Sequence, residues 1–263
     1  MAKFSMLFSG SSGNSAYVGF GERGVLIDAG VSAKRICTAL QEIGTQAEKL
    51  DGIFITHEHM DHIKGLSVLS RRAKLPVYLN EETLAGIRAQ GIELEEERIH
   101  LIQVGEPVVV GEMQVTSFPT MHDAKCSVGY VVETPDGRKL GYATDLGVVT
   151  PEVERHLCGC HTVALESNHD EQMLRDGRYP FFLKVRILSE IGHLSNRAAA
   201  SLAAHLGETG TTRFILAHLS RENNRPELAR RAAEASLREA GLREGYDFEL
   251  ECPPPAGGRV HIY

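Results

Sequence analysis

The segment Thr56-His57-Glu58-His59-Met60-Asp61-His62 holds three histidines and an aspartate within six residues. Imidazole nitrogens mixed with carboxylate oxygens are the donor set preferred by divalent ions such as Zn²⁺, Mn²⁺ or Fe. Helices and strands repeat with periods of about 3.6 and 2 residues, so neither can aim all four side chains one way. A tight loop at a strand end can fan them around two neighbouring ions, and the segment reads as half of a dinuclear metal site. It is not the His-Glu-x-x-His zinc-protease helix, because the residue four beyond His57 is Asp61.

Four more metal-ligand residue types fall just past apolar runs that read as strands: His122, Asp145, His169 and His218. In a layered α/β protein such loops gather at one edge. His122, Asp145 and His218 would each, alone, read as ordinary surface or capping residues. His100, His156, His205 and His261 read as solvated. The five cysteines, Cys37, Cys126, Cys158, Cys160 and Cys252, lack paired CxxC spacing and read as free thiols in a reducing compartment.

The elements that must carry these loops follow from the apolar patterning. Phe4–Phe8, Ala16–Phe20 and Val25–Ile27 read as a small meander, followed by a helix from Ser32 toward Ile43 and a strand over Gly52–Ile55. A helix near 63–72, a strand at Pro76–Leu79 and a helix over Glu81–Gln90 continue a β-α alternation. A second meander spans Pro107–Val110, Met113–Phe118, Ser127–Glu133 and Lys139–Ala143. The alternation then resumes: a helix after Pro151, a strand at Thr162–Leu165, helices at Phe181–Glu190 and Asn196–Leu206, a strand at Thr212–Ala217, and a helix over Pro226–Ala240. Strands at Tyr246–Leu250 and Arg259–Ile262 close the chain. Two halves that each run from meander to alternation predict two sheets face to face with helices outside.

These motifs resemble those of metallo-β-lactamase-fold hydrolases. The resemblance spans nearly the whole chain and implies one α/β domain over 1–263, a four-layer αβ/βα sandwich of two mixed β-sheets with helices outside. It assigns His57, His59 and His122 to one metal, Asp61, His62 and His218 to a second, and Asp145 as the bridging carboxylate. Asp28, in Leu26-Ile27-Asp28-Ala29-Gly30, matches the family's first motif and is expected to orient the histidine loop. Ser9-Gly10-Ser11-Ser12-Gly13-Asn14, His122-Asp123-Ala124, Glu166-Ser167-Asn168-His169-Asp170, Gly192-His193-Leu194-Ser195-Asn196 and Leu216-Ala217-His218-Leu219-Ser220 narrow the likeness. They are similar to the YycJ/WalJ group, cytoplasmic proteins associated with 5′→3′ DNA exonuclease activity.

The resulting expectation is a dinuclear hydrolase holding two divalent ions, Zn²⁺ or Mn²⁺ with Fe as an alternative, that cleaves phosphodiester bonds at DNA ends. The metals would activate a bridging water for in-line attack on phosphorus. Ser195 and Asn196 begin a helix whose free N–H groups favour a terminal phosphate, with simple capping as the alternative. Ser11 and Asn14 lie in a second loop that could donate to phosphate or be only a turn. His193 or His169 could protonate the leaving oxygen, His193 being preferred and His169 the alternative beside the metals.

The balance of −7 argues against broad electrostatic capture of nucleic acid, and tryptophan is absent. A small-molecule phosphodiester is therefore the first alternative, with thioester or lactone hydrolysis the second. A diiron redox enzyme is disfavoured because His59 stands where that branch has glutamate. A catalytically degenerate scaffold would have gaps in the ligand set, and there are none. The N-terminus has no signal-peptide pattern and no run reaches membrane-spanning length, so a cytoplasmic protein without membrane attachment is expected.

Overall fold

The computed structural model describes residues 1–262. Strands β1 (Ala2–Phe8), β2 (Ser15–Phe20) and β3 (Arg23–Ile27) form the first meander, turning at Gly21 with φ 60°. Helix α1 (Ala33–Glu42) buries Ala33, Ile36, Ala39 and Leu40, an i, i+3, i+4 stripe, and stops before Gly44 at φ 79°. Then follow β4 (Leu50–Phe54), α2 (Met60–Ile63), α3 (Leu66–Ala73), β5 (Val77–Leu79), α4 (Glu81–Ala89) and β6 (Ile99–Leu101). The second half opens on β7 (Pro107–Val110), β8 (Met113–Pro119), β9 (Val128–Glu133) and β10 (Lys139–Ala143). It continues through α5 (Pro151–Leu157), β11 (Thr162–Glu166), α6 (Glu171–Asp176), α7 (Phe181–Ile187), α8 (Asn196–Glu208), β12 (Arg213–Ala217), α9 (Pro226–Glu239), β13 (Glu249–Glu251) and β14 (His261–Ile262).

Two mixed sheets result. One has the order β14-β1-β2-β3-β4-β5-β6 and the other β13-β12-β11-β10-β9-β8-β7. In each, antiparallel meander strands give way to parallel strands joined by helices. Phe4, Val18 and Phe54 from the first sheet share one buried cluster with Val115, Tyr130 and Ile215 from the second. Separate clusters lie under α1, α3 and α4 on one side and under α5, α8 and α9 on the other. The layers are therefore helix, sheet, sheet, helix, as expected from the patterning. Tyr130 crosses between the sheets to donate its hydroxyl proton to the Ile55 carbonyl at 2.6 Å, one residue before the histidine loop begins.

The predicted helix at 63–72 is instead two helices broken at Gly65. A Cβ there would lie 2.1 Å from the Val31 carbonyl oxygen, and the Gly65 N–H donates to the Ala29 carbonyl at 2.8 Å. This close approach is a tertiary contact with no periodicity to announce it, and it ties the end of the histidine loop to the Asp28–Val31 turn. The expected strands at 246–250 and 259–262 shrink to β13 and β14, while β6 and α6 arise from segments too short and too polar to show a period. Among the described residues no helix is long and apolar enough to cross a membrane.

Candidate metal centre

The site is assembled at the carboxyl ends of strands, where layered α/β sheets present their loops. Asp28 follows β3, the histidine loop follows β4, His122 follows β8, Asp145 follows β10, Glu166 ends β11 and His218 follows β12. Asp28, Asp145 and His218 take positive φ values of 64°, 59° and 56°; Lys74 is the fourth such non-glycine residue among those described. Left-handed backbone costs an ordinary residue roughly 1–2 kcal/mol, so three of these four conformations are held by their surroundings at this one edge.

Within the histidine loop, His59 keeps extended dihedrals (φ −64°, ψ 145°) while Asp61 and His62 fall in the first turn of α2. The change from extended to helical backbone is what fans the side chains. The loop is pinned from behind: Asn14 N–H donates to the Asp61 carbonyl and Ala29 N–H to the His62 carbonyl, both at 2.8 Å. Gly30 permits this, since a Cβ there would lie 1.7 Å from the Asp61 carbonyl oxygen. Buried Asp28 accepts from Thr56 N–H at 2.9 Å with one oxygen and lies 2.7 Å from His62 Nδ1 with the other.

The rings of His57, His59 and His122 surround a common point, with centroids 4.6 Å, 5.1 Å and 5.1 Å apart. Asp61 Oδ2 lies 3.8 Å from His62 Nε2 and 3.9 Å from His218 Nε2. Asp145 faces both groups, with Oδ2 3.2 Å from His62 Nε2 and Oδ1 3.7 Å from His122 Nε2. Buried His57 Nε2, His218 Nε2 and Asp145 Oδ2 have no hydrogen-bond partner. Buried lone pairs left unpartnered cost about 1–3 kcal/mol each, and a shared cation satisfies several at once. The donor set and its orphaned atoms thus fit divalent metal ions.

Glu166, which the motif reading quoted without a role, is fully buried and organises one wall. Its Oε1 lies 2.8 Å from both His193 Nδ1 and His218 Nδ1, and its Oε2 accepts from Leu146 N–H at 2.6 Å. Burial would raise this carboxyl, but His193 and His218 hold it down at about 2. His122 is oriented in the same manner, with Nδ1 3.0 Å from the Gly192 carbonyl, which leaves Nε2 toward the centre.

Burial lowers His57 well below the usual imidazole range and lowers His122 as well, keeping both neutral as ligands must be. His62 and His218 go the other way. Burial opposes their charge, yet Asp28 and Asp145 raise His62 well above the usual range, and Asp145, Asp61 and Glu166 do the same for His218. Burial also pushes Asp28 up against the pull of His62, and the shared proton belongs on His62 Nδ1, where Thr56 supports the carboxylate.

A cleft of about 280 Å³ opens over these residues, lined also by Ser11, Asn168, Tyr179, Arg186, His193 and Ser220. Not every expected residue reaches it. Ser195 Oγ caps α8 by accepting from Ala198 N–H, and buried Asn196 exchanges hydrogen bonds with Ser167 and Asn224. The expected phosphate pocket at that helix start is therefore corrected to a cap and a buried amide network. Asn14 is likewise spent, its Oδ1 accepting from Gly10 N–H and its Nδ2 3.0 Å from His62 Nε2. His193 lines the cleft, whereas His169 is buried with neither ring nitrogen partnered and lies outside the cleft lining.

Asp123 was quoted from sequence only within His122-Asp123-Ala124, without a role, and Arg186 not at all. They form an ion pair at 2.5 Å, with the other Asp123 oxygen 3.3 Å from His122 Nε2.

Residues 23–219 match the beta-lactamase superfamily domain. The chain is 40% identical over 252 residues to the exodeoxyribonuclease YycJ of Bacillus anthracis, covering 96% of this chain and 95% of the relative. It is 37% identical to the exodeoxyribonuclease WalJ of Streptococcus pneumoniae over 94% of this chain and 93% of that protein. The metallo-beta-lactamase fold protein YhfI of Bacillus subtilis superposes over the full length of both chains with a TM-score of 0.73 at 17% identity, a likeness of fold.

Proposed function

The chain belongs to the beta-lactamase superfamily, and from that premise we propose that it is a metal-dependent exonuclease that cleaves phosphodiester bonds from the 5′ ends of DNA. The observation that carries the reading is the set of unpartnered nitrogen and oxygen atoms converging from both sheets onto one open cleft. The near full-length likeness to two exodeoxyribonucleases supplies the substrate class. Five free thiols agree with a cytoplasmic location.

His57, His59 and His122 would hold one divalent ion, Asp61, His62 and His218 a second, and Asp145 would face both; Zn²⁺ and Mn²⁺ suit this donor set. Ions held there supply Lewis acidity toward the phosphate and acidify water at the centre. The protein's own contribution begins with orientation: Asp28 and Glu166 fix His62 and His218 through their Nδ1 atoms. Arg186, Ser11 and Ser220 line the cleft with donors for phosphate oxygens.

His193 would be the proton donor to the leaving oxygen. Burial alone would lower its basicity, but Glu166 at 2.8 Å raises it, so the ring keeps its proton to a higher pH than an ordinary imidazole. Buried His169 is lowered chiefly by its burial, which suits a supporting position behind the wall.

The test is incubation with Mn²⁺ or Zn²⁺ and end-labelled single- and double-stranded DNA, RNA and bis-p-nitrophenyl phosphate, with Asp61→Ala as the blank. Mononucleotides released from DNA 5′ ends by the parent and not by Asp61→Ala are the expected result. Cleavage of the small diester alone would overturn the DNA reading while keeping the metal chemistry. Absence of any phosphodiester turnover would move the chemistry to carbonyl substrates.

A further inference from the structure

Helix α7 presents apolar rings where water should be. Phe181 is 81% exposed and Phe182 74%, beside exposed Val185 and Leu188. Their segment is also part of the cleft, because Tyr179, Leu183, Arg186 and Ile187 line it together with the metal-centre histidines. Resting on the exonuclease reading, we propose that Phe181 and Phe182 form a stacking surface for unpaired bases of the DNA strand whose end enters the cleft.

Charge supports a polyanionic occupant. Residues 175–188 carry Arg175, Arg178, Lys184 and Arg186 against the single acid Asp176, in a chain whose overall balance is −7. Arg186 and Arg175 are engaged by Asp123 and Glu171, but Arg178 and Lys184 make no ion pair among the described residues. Elsewhere on the rim, exposed Arg221 donates to Ser12 Oγ at 2.8 Å beside the cleft-lining Ser11 and Ser220. Cations for phosphates and open ring faces for bases are the two components of single-strand binding. A second copy of this chain or a lipid surface seated on the same rings would cover the cleft through which substrate must pass.

The chain has no tryptophan, so Phe182→Trp introduces a lone indole reporter. In an Asp61→Ala background, a single-stranded oligonucleotide is expected to quench its emission, and an abasic strand of equal length and charge is not. In the active enzyme, Phe181→Ala with Phe182→Ala is expected to raise KM for single-stranded DNA at least about tenfold with kcat little changed, and tyrosine at both positions to restore it. Equal quenching by the abasic strand, or an unchanged KM in the double alanine variant, overturns the stacking surface. So does emission that responds only to anionic vesicles or to protein concentration. Quenching is read without turnover: base-dependent quenching with no DNA cleavage by the parent keeps the stacking surface and overturns the nuclease reading.

Discussion

Glu166 shows what one buried carboxylate can set. A carboxylate offers enough lone pairs for His193, His218 and the Leu146 amide at once, and it fixes both imidazoles with Nδ1 inward. Glutamine at this position keeps acceptors on one side only: with its oxygen toward the two rings its NH2 opposes the Leu146 N–H, and turned round it presents a donor to both rings. Glu166→Gln is expected to lower metal affinity and kcat/KM roughly 10- to 100-fold with the fold retained. Metal content after dialysis and steady-state kinetics measure this, and parental values for both would refute the role. Asp28 could be read in sequence because Leu26-Ile27-Asp28-Ala29-Gly30 matches the family's first motif. Glu166 closes β11, but it stands among polar neighbours in Glu166-Ser167-Asn168 and reads as the start of a loop. Ser195 and Asn196 mislead for the opposite reason. Their types fit both a phosphate site and a cap, and only the buried partners Ser167 and Asn224 decide between them.

At the scale of elements, the alternation of strands and helices was legible because period-2 and period-3.6 patterns survive in β1–β4, β8–β12 and the longer helices. What was not legible depends on contacts between elements, as at Gly65, or on short polar segments, as at β6 and α6. The left-handed residues separate function from economy. Asp28, Asp145 and His218 keep strained backbone where their side chains converge on the candidate metal centre. Lys74 has no such reason: it ends α3 at φ 55°, ψ 39° with an exposed side chain, and only its backbone is engaged, the N–H donating to the Ser70 carbonyl and the carbonyl accepting from Arg98. Lys74→Gly is therefore expected to stabilise the protein by about 1 kcal/mol, since glycine adopts this helix-ending conformation without the Cβ penalty. Denaturant unfolding of the variant and parent measures it; a destabilised variant would show that the lysine stem contributes packing that outweighs the strain.

For the whole molecule, the centre joins two sheets that otherwise meet only through apolar contacts and a few polar ties, so its charge state affects the stability of the whole sandwich. Without metal, the charges are balanced by protons. The pKa values of His62 and His218 are raised above the unfolded value near 6.5, so their stabilisation is full below that pH and is lost as pH rises through the folded values. Glu166 is depressed from 4.5 to about 2, so its contribution is present above the unfolded value and disappears as pH falls through the folded one. His57 and His122 are lowered, and their neutral burial becomes a cost once pH drops below about 6.5. The metal-free protein should accordingly be most stable near pH 6–7 and weaken on either side. A divalent ion takes over the role of the protons on His62 and His218, and because it competes with them it binds more tightly as pH rises. The increase in melting temperature produced by Mn²⁺ or Zn²⁺ over EDTA-treated protein is expected to grow between about pH 6 and pH 9, with protons released on metal addition below the folded pKa values. Calorimetric melts at stepped pH, paired with metal titrations in buffers of differing ionisation enthalpy, measure both. A metal-induced shift that stays constant across that range would mean that the two histidines carry no displaceable proton, and that the buried carboxylates around them are balanced by other groups.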